Sequence, residues 1–130
     1  MKSALVIFQT KGVRTLNARK TVGIHGLAIS VKNNPNYVVK YFEPRSDSND
    51  SGNFISTDLC EEAEVVFITG CSYKENIIAS MMFYSDLGKK VRFIKDLFYT
   101  PDGEDDTCEE VLFKLFGEEV NVVLDQITTD

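Results

Sequence analysis

The 130-residue chain has no tryptophan, one histidine, three cysteines, three prolines and eight glycines. Each shortage excludes something. So few Gly and Pro, without a period, exclude collagen-like and low-complexity chains. The cysteines are odd in number and spread over positions 60, 71 and 108. That excludes a disulfide scaffold, and the absence of C-x-x-C spacing argues against a structural zinc site. A single histidine, His25, leaves any serine or cysteine nucleophile at most one histidine base. No apolar run approaches the ~20 residues of a membrane span. The start, Met1 to Phe8, has one basic residue and a short apolar run that Gln9-Thr10-Lys11 ends, so it does not read as a signal peptide. The expectation is a soluble, reduced, cytoplasmic protein.

What is present is ordinary for a globular chain: 43% hydrophobic, 26% charged and 11% aromatic residues. The length predicts one domain, residues 1–130, able to bury roughly two thirds of its unfolded surface. The net charge of −6 is an average over unlike parts. Residues 1–42 hold Lys2, Lys11, Arg14, Arg19, Lys20, Lys32 and Lys40 and no acid, giving +7. Residues 102–130 hold ten acids against Lys114, giving −9, and the middle carries −4. Such a chain presents one basic and one acidic surface unless the two ends fold together and neutralise each other.

Hydrophobic patterning predicts alternating strands and helices. Ala4 to Phe8 is an unbroken apolar run of strand length, as expected for a strand buried on both faces. In residues 21–31, Ile24, Leu27, Ala28 and Val31 fit a helical stripe; Leu27, Ile29 and Val31 fit a strand with a turn at Asn33–Asn36. The alternation elsewhere favours the helix. Further strands are predicted at Tyr37–Phe42, Glu64–Thr69, Val91–Ile94 and Val120–Leu124. Helices are predicted from Thr57 or Asp58 to Ala63, from Lys74 to Leu87 before Gly88, and from a capping box at Thr107-Cys-Glu-Glu110 to Gly117. The fold class is α/β: a three-layer Rossmann-like or flavodoxin-like domain with a mostly parallel five-stranded sheet. Ligands of such sheets sit beyond the carboxyl ends of the strands, where strand order reverses.

Three segments fall there, Gln9 to Lys20, Glu43 to Asn53 and Gly70 to Glu75, and two of them carry candidate residues. The first, Thr10 to Thr21, holds four cations and a glycine ahead of a helix expected near Asn17. Lys11, Gly12, Arg14 and Asn17 are therefore candidate ligands for a phosphate or carboxylate. The segment is not a P-loop, because Arg19 stands where the second glycine belongs. The second loop follows Gly70 and runs through Ser72 and Asn76 into the Lys74 helix.

Residues 58–91, from Asp58-Leu-Cys-Glu through Ile68-Thr-Gly70 and Ala79-Ser80 to Leu87-Gly88-Lys89, resemble part of the nucleoside 2-deoxyribosyltransferase-like superfamily. Gly70 matches its strand-end glycine and Leu87-Gly88-Lys89 its helix end. The departures are Lys74 at the turn Ser or Asp, Asn76 at the helix-opening Gly, and Ser80 at the nucleophilic Glu. The resemblance implies a nucleotide or nucleoside ligand lined by Gly70, Ser72, Asn76 and Ser80. An active member would cleave or transfer at an N-glycosidic bond; a chain with serine at that position implies binding without that chemistry.

Of the remaining candidates, His25 as a ligand or base is weighed against a structural role, which is favoured for a lone histidine on a part-apolar segment. Cys71 sits near a helix start that lowers a thiol pKa, but a catalytic triad lacks a partner and an unactivated thiol is favoured. The acids Asp102, Glu104, Asp105 and Asp106 lack EF-hand spacing and read as a solvated loop. No cofactor or metal is expected. Met81–Tyr84, Phe98-Tyr99, Phe113 and Phe116 read as core. The alternative function is a non-enzymatic interaction or inhibitor protein, whose acidic C-terminal surface binds a basic or nucleic-acid-binding partner. Direct nucleic-acid binding is disfavoured by the net charge.

Overall fold

The computed structural model describes residues 2–9, 18–42, 63–117 and 121–122. Their elements run β1 (Lys2–Gln9), α1 (Ala18–Lys32), β2 (Tyr37–Phe42), β3 (Ala63–Cys71), α2 (Lys74–Asp86), β4 (Lys90–Ile94), α3 (Asp105–Phe116) and β5 (Asn121–Val122). All pairings are parallel, in the order β2-β1-β3-β4-β5. Four strands have five residues or more; β5 adds a two-residue pairing to β4. Strand order reverses between β1 and β3, because the chain goes from β1 to one neighbour and later returns to the other.

The run of apolar residues in β1 explains its central place. Ala4, Val6 and Phe8 point into a core shared with Ile77, Met81 and Tyr84 of α2 and Cys108 and Leu112 of α3. Leu5 and Ile7 point the other way, into a core with Ile24, Leu27, Ala28 and Val31 of α1. Period-two alternation thus divides one apolar run between two cores, with α1 on one face and α2 and α3 on the other. Each large side chain so buried contributes roughly 1.5–3 kcal/mol of transfer free energy.

The helix reading of residues 21–31 holds, and the predicted stripe is the buried one. Gly23 is there because a Cβ would come within 2.6 Å of Leu97 Cδ2, so its absence lets α1 lie close to the segment after β4. After α1, the Asn34 carbonyl accepts from Tyr37 N at 3.1 Å, and Asn36 O accepts from Ser3 N at 2.8 Å, which docks β2 beside β1. α2 stops at Gly88 with φ +82°, where Lys89 N donates to Tyr84 O at 3.1 Å.

Four expectations need correction. Thr107 does not start α3: the helix begins two residues earlier, at Asp105. The reason is a local bonding alternative. Thr100 Oγ1 accepts from Glu104 N at 2.6 Å, and Asp105 Oδ1 accepts from both Thr100 N and Thr100 Oγ1 at 2.7 Å. Ala63 is the first residue of β3 rather than the last of a helix. Phe113 and Met82 are half exposed, each at 47%, rather than core. His25 is exposed on α1 rather than structural. The helix predicted before Ala63 and most of the strand predicted over 120–124 lie outside the described residues.

Candidate functional site

At the carboxyl ends of β1 and β3, below the first turns of α1, lies a cleft of about 400 Å³. Phe8 ends one wall and Cys71 the other. Thr21, Val22, Ile24 and His25 of α1 line the top, and Tyr99 closes the side. The lining is mainly apolar, with a few polar tips and, among the described residues, no carboxylate.

Local bonding fixes these walls. The segment after β4 is zipped to the end of β3: Tyr99 N donates to Gly70 O at 3.1 Å, Ser72 N to Tyr99 O at 3.3 Å, and Cys71 and Tyr99 form a parallel bridge. Thr69 Oγ1 donates to Ile94 O at 3.0 Å just below. Tyr99 reaches back to α1, where its hydroxyl lies 2.8 Å from Thr21 Oγ1. One residue earlier, Lys20 Nζ donates to Phe98 O at 2.6 Å and stands 3.6 Å from Asp105 Oδ2. The first turn of α1 is therefore clamped to the loop between β4 and α3.

Burial pushes the Tyr99 phenol up to about 12, against a hydrogen bond with Thr21 that favours the phenolate. Burial likewise raises the Cys71 thiol, and the bond with Tyr99 only partly offsets it. This agrees with the reading of Cys71 as an unactivated thiol: desolvation favours the neutral form. Among the described residues no group of three or more His, Cys, Asp or Glu is placed to hold a metal ion.

The predicted residues divide. Lys11, Gly12, Arg14 and Asn17 lie outside the described residues. Gly70 is buried beneath the cleft, its backbone pressed against that of Phe8 in β1. Ser72, Asn76 and Ser80 come together, but in a closed chain of their own. Ser80 Oγ donates to Asn76 O at 2.8 Å, and Asn76 Nδ2 donates to Ser72 Oγ at 3.0 Å. All three are buried, and none lines the cleft. Of the cleft residues, Thr21, Val22 and Tyr99 are not among the expected ligands, and His25 is one weighed there only as the less favoured reading. The one signal for them was positional: the strand-end rule points to the first turn of whichever helix follows β1.

Among the described residues the two charged ends touch at an ion pair. Lys20 pairs with Asp105, and Lys74, 3.4 Å from Glu75, feels Glu104 and Asp102 as well. Among the described residues no helix is long and apolar enough to cross a membrane. No family model, curated protein or solved structure matches this chain.

Proposed function

We propose that the chain is a small flavodoxin-like domain that binds a nucleoside or nucleotide in the β1–β3 cleft without N-glycosyl chemistry. The observation that carries this is the cleft's place and lining. The order β2-β1-β3-β4-β5 is that of flavodoxin-type sheets, whose ligands sit at the β1/β3 reversal. An apolar hollow of about 400 Å³ with a few convergent polar tips suits a flat ring carrying hydrogen-bonding edges. Phe8, Val22 and Ile24 supply the apolar walls; Thr21, His25 and the Tyr99 hydroxyl supply the polar contacts.

The loss of chemistry is supported by Ser80. It occupies the position of the resembled family's nucleophile, but it is 1% exposed and its hydroxyl is spent on Asn76 O. A buried serine with no base beside it does not attack an anomeric carbon. The alternative, an acidic partner-binding surface, is weakened where Lys20 and Lys74 stand among the acids of residues 102–105. Free, buried Cys71 and Cys108 fit a reducing compartment, so we place the protein in the cytoplasm.

A thermal-shift panel of nucleosides and nucleotides tests the reading. A ligand at 100 times its Kd adds about 2.7 kcal/mol, on the order of 10 °C for a chain of this size. A flat panel, or hydrolysis of a nucleoside by the wild type that Ser80→Ala abolishes, overturns it.

A further inference from the structure

We propose that the ligand site continues from the β1–β3 cleft along α1 into the groove between α1 and β2, and that its full ligand is a dinucleotide: two flat bodies joined by an anionic bridge. The proposal rests on reading the first cleft as a nucleoside site and extends it. A second hollow, of about 440 Å³, is lined by His25, Ala28, Ile29 and Lys32 of α1 and by Val39 and Tyr41 of β2. His25 belongs to both hollows. Apart from Ile24 at the inner edge of the first hollow, the α1 residues involved, Thr21, Val22, His25, Ala28, Ile29 and Lys32, recur at three- and four-residue spacing, so they form one flank of the helix. The two hollows therefore follow one another along α1, His25 and Lys32 standing about 10 Å apart along its axis.

Size and charge select the occupant. Each hollow is at the scale of one nucleoside-sized body, so a mononucleotide fills only the first. In the second, Ile29 is 60% exposed and Tyr41 43% exposed, and a second ring laid on them covers apolar surface that the described residues leave open. Among the described residues no carboxylate lines either hollow, and residues 18–42 carry Arg19, Lys20, Lys32 and Lys40 without a single acid. A bridging pyrophosphate passing His25 toward Lys32 thus meets the Lys32 ammonium and no carboxylate among the described lining residues, whereas a neutral two-ring ligand makes no use of that charge.

The test compares adenosine, adenosine monophosphate and two pyrophosphate-bridged dinucleotides, diadenosine diphosphate and nicotinamide adenine dinucleotide, by calorimetric titration of the wild type, Ile29→Asp and Lys32→Glu. Both substituted side chains are at the surface, so the fold is retained, which circular dichroism checks. The expected result is a dinucleotide Kd at least about tenfold below that of adenosine in the wild type. Both substitutions remove that gain and leave the adenosine Kd unchanged. Adenosine binding with no gain for either dinucleotide, or a gain that survives both substitutions, overturns the extension and leaves the first cleft standing. Binding of none of the four overturns both.

Discussion

Replacing Gly70 with alanine tests the contact on which the cleft depends. Gly70 pairs with Phe8 across β1 and β3 and has φ +116°, a conformation that L residues rarely adopt. A Cβ there is aimed into the neighbouring strand: it meets Phe8 O first, then Phe8 N at 2.6 Å and Phe8 C at 3.0 Å. These are backbone atoms of the central strand, so no side-chain rotation relieves them. Backbone strain at such a φ costs roughly 1–3 kcal/mol, and forcing a methyl into packed backbone costs about 1–3 kcal/mol more. Together they take roughly 2–6 kcal/mol from a total of about 5–15 kcal/mol. Urea unfolding followed by circular dichroism should show the midpoint falling by roughly 2 M. Gly26→Ala is the matched control. Gly26 is exposed inside α1 with nothing within 4 Å of a new Cβ, so alanine there stabilises by roughly 0.5–1 kcal/mol. Equal losses at both sites, or a loss below about 1 kcal/mol at Gly70, would refute the β1–β3 register and with it the cleft walls.

The remaining predictions concern the loop clamp, the titrating groups and the buried serine. Asp105→Ala removes the acceptor of two Thr100 bonds and the partner of Lys20, and should cost roughly 1.5–3 kcal/mol in urea unfolding; Asp105→Asn should recover part of it. Burial raises the Cys108 thiol from 9.0 to about 12 and the Tyr99 phenol from 10.0 to about 12. The folded state therefore keeps protons that the unfolded state releases, so the stability they hold is complete below pH 9.0 and is lost as pH rises toward about 12. Unfolding midpoints that stay level from neutrality to pH 11 would contradict this, and Cys108→Ala should flatten the slope. Cys71, 2% exposed and raised by the same cause, should react with a thiol reagent at neutral pH more slowly than free cysteine. Ser80→Ala should cost about 1 kcal/mol and leave nucleoside affinity unchanged, whereas Tyr99→Phe should weaken it, as titration would show.

Much of the fold was legible because its signals are local. The run Ala4 to Phe8 reported burial on both faces, and the stripe Ile24, Leu27, Ala28 and Val31 faced the core as its spacing required. Gly88 ended α2 as a left-handed glycine does. The start of α3 was not legible, because two arrangements compete for the same donors. A Thr-x-x-Glu box at Thr107 is a good local cap, but Thr100 and Asp105 together satisfy Glu104 N and tie the helix to the preceding loop. That is more bonding than the box alone supplies. The charge split was legible in amount and not in placement: linear counting gives +7 and −9, while only the folded chain sets Lys20 beside Asp105.

The site was harder for a physical reason that Ser72, Asn76 and Ser80 make plain. Their four-residue spacing was visible: Asn76 and Ser80 share one flank of α2 and Ser72 stands just before its first turn, and a polar flank next to a strand end invites a ligand. A polar flank can instead satisfy itself: hydroxyl to carbonyl from Ser80 to Asn76, then amide to hydroxyl from Asn76 to Ser72, so that the whole stripe goes under cover at little cost. The cleft, by contrast, draws on Phe8, the first turns of α1, Cys71 and Tyr99, and its central contact joins Thr21 to a residue 78 positions away. No window of sequence contains those groups, and each alone reads as core or as a helix start. What the sequence did hold was the topology that gathers them, since a parallel sheet that reverses beside β1 must bring the ends of β1 and β3 and the start of α1 to one place. Inferring a site in such a chain therefore runs from strand order to location, and only then from location to residues.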